Sequence, residues 1–201
     1  MNVMSAALKR QPISVEDYLA GELDSPVKHE YVGGFVYAMA GARNLHNLIA
    51  SNVLGFLHAR LHGGRCRAWN PDTKIRVRLP THTRFYYPDA SVVCRPNSPD
   101  DSFQDDPAVI VEVLSQKTRR IDGGEKLEAY LTISSLSVYL LVEQEEAVVV
   151  AYRRTDQGFV REVYAELSAV IPLPEIGIEL PLAEIYDGVE FSPEVSDEDE
   201  A

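Results

Sequence analysis

The run Ala108-Val-Ile-Val-Glu-Val-Leu114 sets a carboxylate inside an otherwise unbroken apolar segment. Extended, it puts Ile110, Glu112 and Leu114 on one face and Val109, Val111 and Val113 on the other. The Glu112 face is thus not a plain solvent face, which favours a site there. A buried unpaired carboxylate either shifts its pKa or finds a cation. The candidates are an arginine, the solvated rim of an edge strand, or a hard divalent ion. Mg²⁺ takes one or two carboxylates, keeps several waters and leaves room for a phosphate. Tyr86-Tyr87-Pro88-Asp89, at the head of a second apolar strand, supplies another acid in Asp89.

The surrounding periodicities give helix, hairpin, long helix, a series of strands, one helix, then further strands. Ser14 and Asp17 mark the start of a short helix ending near Leu23. Gly33-Gly34 turns a hairpin between His29–Tyr31 and Phe35–Met39. Leu45, Leu48, Ile49, Val53, Phe56, Leu57 and Leu61 recur at three and four, and Gly63-Gly64 stops that helix. Strands are expected at Arg65–Trp69, Thr73–Leu79, Tyr87–Cys94, Ala108–Leu114, Val138–Val142, Ala147–Tyr152 and Gly158–Tyr164, with a helix over Thr118–Leu131. Pro172–Glu190, rich in Pro and Gly, is expected to form a lid or extended edge outside the core. The order is that of an α/β or α+β fold with a mixed sheet and helices on at least one face.

The net charge of −12 is unevenly spread. Residues 131–201 hold 3 Lys/Arg against 16 Asp/Glu, whereas residues 41–84 hold eight Arg/Lys against the single Asp72. That local excess suits a phosphate-facing surface, or else balances the acidic third internally. Lys74, Arg76 and Arg78 share one face of the Thr73–Leu79 strand, and with Lys117 they are the candidate nucleic-acid contacts. The acidic end, 191–201, is expected to be a disordered tail after one domain spanning 1–190. No apolar run is long enough to cross a bilayer, and residues 1–11 lack the apolar core of a signal peptide. Cys66 and Cys94 show no metal-ligand spacing. They read as two lone core thiols in a reducing, cytoplasmic protein.

Pro88-Asp89-Ala-Ser-Val-Val-Cys94, then Pro107 to Tyr130 with Glu112 and Gly123-Gly124-Glu125-Lys126, resembles the Uma-type endonuclease family of the PD-(D/E)XK, restriction-endonuclease-like superfamily. The likeness runs from about Ser14 to about Ile185 and includes His29-Glu30-Tyr31 and His46. It implies a central mixed β-sheet flanked by helices and an Mg²⁺- or Mn²⁺-dependent centre that cuts DNA. Asp89 and Glu112 match the family's two metal-binding acids, and Glu30 an early glutamate that completes the shell. Leu114 stands where the superfamily usually has lysine, and Lys126, on the following helix, matches the displaced lysine of this family. His46, at the head of the long helix, matches a histidine that contacts phosphate or lines the cleft. Cutting both strands of a duplex implies a homodimer. The alternative is a nuclease-like fold that no longer cuts and serves to bind nucleic acid or a partner.

Overall fold

The computed structural model describes residues 11–115 and 119–191. Ser14 caps α1 (Val15–Leu23), its hydroxyl oxygen accepting the Asp17 N–H at 3.0 Å. The hairpin follows as β1 (His29–Val32) and β2 (Phe35–Ala38). Gly33 and Gly34 both take positive φ, and a Cβ on Gly34 would lie 2.5 Å from that of Pro12, so glycine is required there. The long helix α2 spans Asn44–Leu61. Strands β3 (Arg67–Trp69), β4 (Lys74–Arg78), β5 (Thr83–Tyr86), β6 (Ala90–Val93), β7 (Phe103–Gln104) and β8 (Pro107–Val113) come next. A π-helical turn, Ile121–Lys126, runs into α3 (Leu127–Tyr130). The chain ends in β9 (Val138–Val142), β10 (Val148–Thr155), β11 (Gly158–Ala165), β12 (Val170–Leu173), β13 (Ile178–Pro181) and α4 (Leu182–Ile185).

Among the described residues these strands form a six-stranded mixed sheet, a five-stranded sheet and a small hairpin. The larger sheet runs β11-β10-β9-β8-β6-β3, with β8 and β9 parallel. The other runs β2-β1-β5-β4-β7. Strand alternation on β8 assigns its two faces. Val109, Val111 and Val113 pack with Ile49, Val53 and Leu57 of α2. Ile110 and Leu114 pack with Ile75, Val77 and Tyr86 of the second sheet and with Tyr130 of α3. Glu112 therefore points to the place where the two sheets and the π-turn meet.

Three expectations are corrected. The expected strand Tyr87–Cys94 starts only at Ala90, as β6; Tyr87-Pro88-Asp89 instead carries the chain from β5 in one sheet to β6 in the other, because Pro88 has no N–H to continue a ladder. Residues 170–185 are core rather than lid: Ile171, Leu173, Leu180, Leu182 and Ile185 are fully buried, each worth about 1.5–3 kcal/mol of hydrophobic stabilisation. The prolines among them fit because β12 and β13 pair only with each other. Cys66 and Cys94 are not lone thiols but form a disulfide. The β3–β6 register pairs Arg67 with Val93, so the next residue pair outward brings the two sulfurs together. This removes the cysteine argument for a reducing compartment. No described helix is long and apolar enough to cross a membrane. The acidic segment 192–201 lies outside the described residues.

Candidate active site

Four acids and one lysine converge at the junction of the sheets. Lys126 Nζ lies 2.9 Å from Glu30 Oε1, 3.3 Å from Glu112 Oε1 and 3.2 Å from Asp122 Oδ1. Glu30 comes from β1, Glu112 from β8, and Asp122 with Lys126 from the π-turn. Widening that turn keeps Asp122 and Lys126, four residues apart, on the same inward side. Asp89 enters from the bend before β6. Its Oδ2 accepts the Val113 N–H at 2.7 Å, next to Glu112 along the chain, and lies 3.3 Å from Nε2 of His46 in the first turn of α2.

Electrostatics follow from burial. Burial pushes the Glu112 carboxyl well above its usual range; Lys126 opposes this, while Asp122, Asp89 and Glu30 add to it. Burial alone would lower the Lys126 pKa. Glu112, Glu30 and Asp122 outweigh that and hold the ammonium well above its ordinary value. Lys126 is thus a fixed cation, not a base ready to take a proton at neutral pH. Burial likewise opposes charge on His46, but the hydrogen bond and charge of Asp89, with help from Asn47 and the backbone at Val113, raise its pKa overall.

Tyrosines wall the cluster. Tyr130 donates to Glu112 Oε1 at 3.4 Å, and Tyr139 donates to the Asp122 carbonyl at 3.0 Å. The Tyr86 ring centroid lies 5.6 Å from Lys126 Nζ, and its hydroxyl donates to Glu125. Burial raises Tyr130 and Tyr139 well above the usual phenol value, so both stay protonated donors. Sequence reasoning missed Asp122 and these rings. The one available signal was the spacing Asp122-x-x-x-Lys126, which on a helix forms a neighbouring pair.

Leu114, at the usual lysine position, is buried among Ile110, Ile75 and Tyr130. The basic strand is not part of the cluster. Glu30, Tyr86 and Lys126 lie on the Ile75–Val77 face of the five-stranded sheet, whereas alternation sends Lys74, Arg76 and Arg78 to the opposite face, toward α1 and Phe103. Arg76 is bidentate to Asp105 at 2.7 Å, and Arg78 also bonds Asp105. Lys74 is 4% exposed, its Nζ 5.3 Å from the Tyr87 ring and 6.0 Å from that of Tyr18. Burial lowers its pKa, with Glu22 acting against the shift. The expected phosphate-facing stripe is therefore corrected: it lies on the face away from the acids, Asp105 pairs with both its arginines, and its lysine is enclosed. Lys117 lies outside the described residues.

The donor set fits a hydrated hard cation. Glu30 Oε1 and Asp122 Oδ1 are buried and off the angle a hydrogen bond needs, so each has only charge contact with Lys126. Among the described residues no three His, Cys, Asp or Glu side chains form a ready metal cage. The fit is thus to an ion held by one or two carboxylates and water, as Mg²⁺ prefers, rather than to an all-protein shell.

Comparison with known proteins agrees with this architecture. Residues 15–183 match the model of the Uma2 family, described as "putative restriction endonuclease". An uncharacterized protein of Synechocystis sp. is 33% identical over 181 residues, 89% of this chain and 94% of its own length. A second from the same organism is 27% identical over 135 residues, covering 66% of this chain and 75% of its own. A crystal structure from Anabaena variabilis, titled as a putative nuclease belonging to DUF820, superposes with a TM-score of 0.66 over 87% of this chain and 97% of its own, at 20% identity. The chain shares that restriction-endonuclease-like fold.

Proposed function

Because the chain belongs to the Uma2 family, we propose that it is an endonuclease that hydrolyses phosphodiester bonds of nucleic acid, DNA foremost, at the centre built by Asp89, Glu112 and Lys126. The observation that carries the reading is the buried Lys126 ammonium facing Glu30, Glu112 and Asp122, with Asp89 tied to the amide beside Glu112. A fold with no chemistry to perform gains little from so many buried charges, since desolvation commonly exceeds the Coulombic gain.

Asp89 and Glu112 would hold Mg²⁺ or Mn²⁺, with Glu30 completing the shell through water. When bound, such an ion lowers the pKa of a coordinated water and offsets charge on the phosphate. The chain's own groups prepare the site. The Val113 N–H and His46 fix the Asp89 carboxylate. Tyr130 and Lys126 fix Glu112 Oε1. Lys126, held charged, offers a donor to a phosphate oxygen or an attacking water without having to lose its proton. Cutting both strands of a duplex would use two copies of the chain.

Leu114 favours a second reading, a fold that binds nucleic acid or a partner without cutting. The test is incubation of wild-type chain and Glu112→Gln with plasmid and with single-stranded DNA in Mg²⁺. Cleavage by the wild type, reduced at least about 100-fold in the variant, is expected, since a metal contributes several kcal/mol to the barrier. Binding without cleavage, equal in both proteins, would move the assignment to the second reading.

A further inference from the structure

The β1–β2 hairpin carries an aromatic pair on the same face as the carboxylate cluster. Tyr31 turns toward Tyr18 and Phe85, so Glu30 and Val32 take the other face of β1. Register pairs Glu30 with Tyr37 and Val32 with Phe35. Directly opposed residues of an antiparallel pair share a face, with Cβ atoms about 4.5–5.5 Å apart. Tyr37 therefore stands beside Glu30, whose carboxylate is 2.9 Å from Lys126 Nζ. Yet Tyr37 is 56% exposed and Phe35 41% exposed, on a strand at the edge of its sheet.

Two large rings left open next to buried acids call for a partner. No residue from Tyr31 to Ala42 is charged, so the hairpin offers no cation to a phosphate. What it offers is flat apolar surface, one residue pair away from the proposed hydrolytic centre. The part of a nucleic acid that is flat, apolar on its faces and one sugar removed from a phosphate is the base. Resting on the nuclease reading above, we propose that Tyr37, flanked by Phe35, stacks an unpaired base adjacent to the scissile phosphate. The substrate class is then nucleic acid whose bases are free at that point: single strands, or splayed ends and flaps, rather than continuous duplex. Stacking is tolerant of sequence because every base has a π-face.

The test uses the full chain, with Ca²⁺ replacing Mg²⁺ to separate binding from cleavage. The probes are a labelled single-stranded oligonucleotide of about 12 nucleotides and the same strand with abasic sugars at its centre. Tyr37→Ala should weaken binding of the intact strand about tenfold. It should leave the abasic strand, already weaker for the wild type, unchanged. Tyr37→Phe should behave as wild type, and the dependence on salt should stay the same, because no phosphate contact is removed. Equal losses on both strands, or none on either, would overturn the inference. So would conversion of a dimer to a monomer by Tyr37→Ala in parallel with lost affinity, since the edge strand would then be a contact between copies. A wild type that neither binds nor cuts any nucleic acid would instead remove the nuclease reading itself.

Discussion

Replacing Lys126 by Met removes the cation that faces Glu30, Glu112 and Asp122 while keeping most of the side chain's volume. The residue is 6% exposed, so water does not take over its role. Breaking a buried ion pair from one side costs about 3–5 kcal/mol. Here three acids lose their counter-charge together, which places the expected loss at the upper end, about 5 kcal/mol at pH 7.5. With a urea m-value of about 2 kcal/mol/M, the midpoint should fall by about 2.5 M. The loss should depend on pH. Glu112 already has a raised folded pKa, and removing the ammonium raises it further. A carboxyl with a raised folded pKa stabilises the native state below its unfolded pKa, and that contribution disappears as pH rises through the folded value. The gap between variant and wild type should therefore narrow as pH falls from 7.5 to 5, where Glu112 can take up a proton. Urea titrations followed by circular dichroism at both pH values provide the measurement. A loss below about 1 kcal/mol, or one equal at the two pH values, would refute the assignment of Lys126 as the counter-ion that permits these acids to be buried.

Asp105→Asn should lower stability by about 1–3 kcal/mol by unpairing Arg76. Burial alone would raise the Asp105 pKa, but Arg76, Asn97 and Arg78 hold it below its ordinary value. The wild-type advantage is thus present above the unfolded aspartate pKa and fades as pH falls through the folded one, which denaturation at acid pH would reveal. Arg78→Ala should leave the salt dependence of nucleic-acid binding unchanged; a slope flatter by about one would return Arg78 to the phosphate surface. Ile171→Ala should cost about 2–5 kcal/mol, as a core truncation does, whereas Val170→Ala, at a position 42% exposed, should stay within about 0.5 kcal/mol. Equal effects at the two positions would argue against a core role for β12.

The charged residues that cost most to bury were the most legible. Glu112 stands out because its neighbours on both faces are apolar, and Asp89 because it follows a proline at the start of a strand. Their convergence depends on β6 and β8 being adjacent, a pairing that no local pattern encodes. Alternation disclosed that Lys74, Arg76 and Arg78 share a face but not which face adjoins the acids. That depends on how the five-stranded sheet sits over β8, and Asp105, which occupies two of those side chains, is distant in sequence. Asp122 escaped notice because an acid four residues before a lysine on the expected helix reads as an ordinary solvated pair, whereas the widened turn carries both side chains inward. The Pro172–Glu190 segment misled for a related reason: its prolines reported local backbone limits, while its burial is decided by packing against the α2 side of the larger sheet.

The Cys66–Cys94 bond divides the chain into a ring and two tails. The ring holds β4, β5 and Asp89. The amino-terminal tail carries Glu30 and His46, and the carboxy-terminal tail carries Glu112, Asp122 and Lys126. The proposed centre is thus assembled from three covalently distinguishable parts, each contributing at least one charged group. A single backbone cut inside the ring would leave both products joined through sulfur, with every member of the centre still on one covalent molecule. A cut between Glu30 and Cys66, or between Cys94 and Lys126, would release a fragment bearing Glu30 or Lys126. Within the span from Glu30 to Lys126, the centre therefore keeps its covalent unity after scission only between residues 66 and 94.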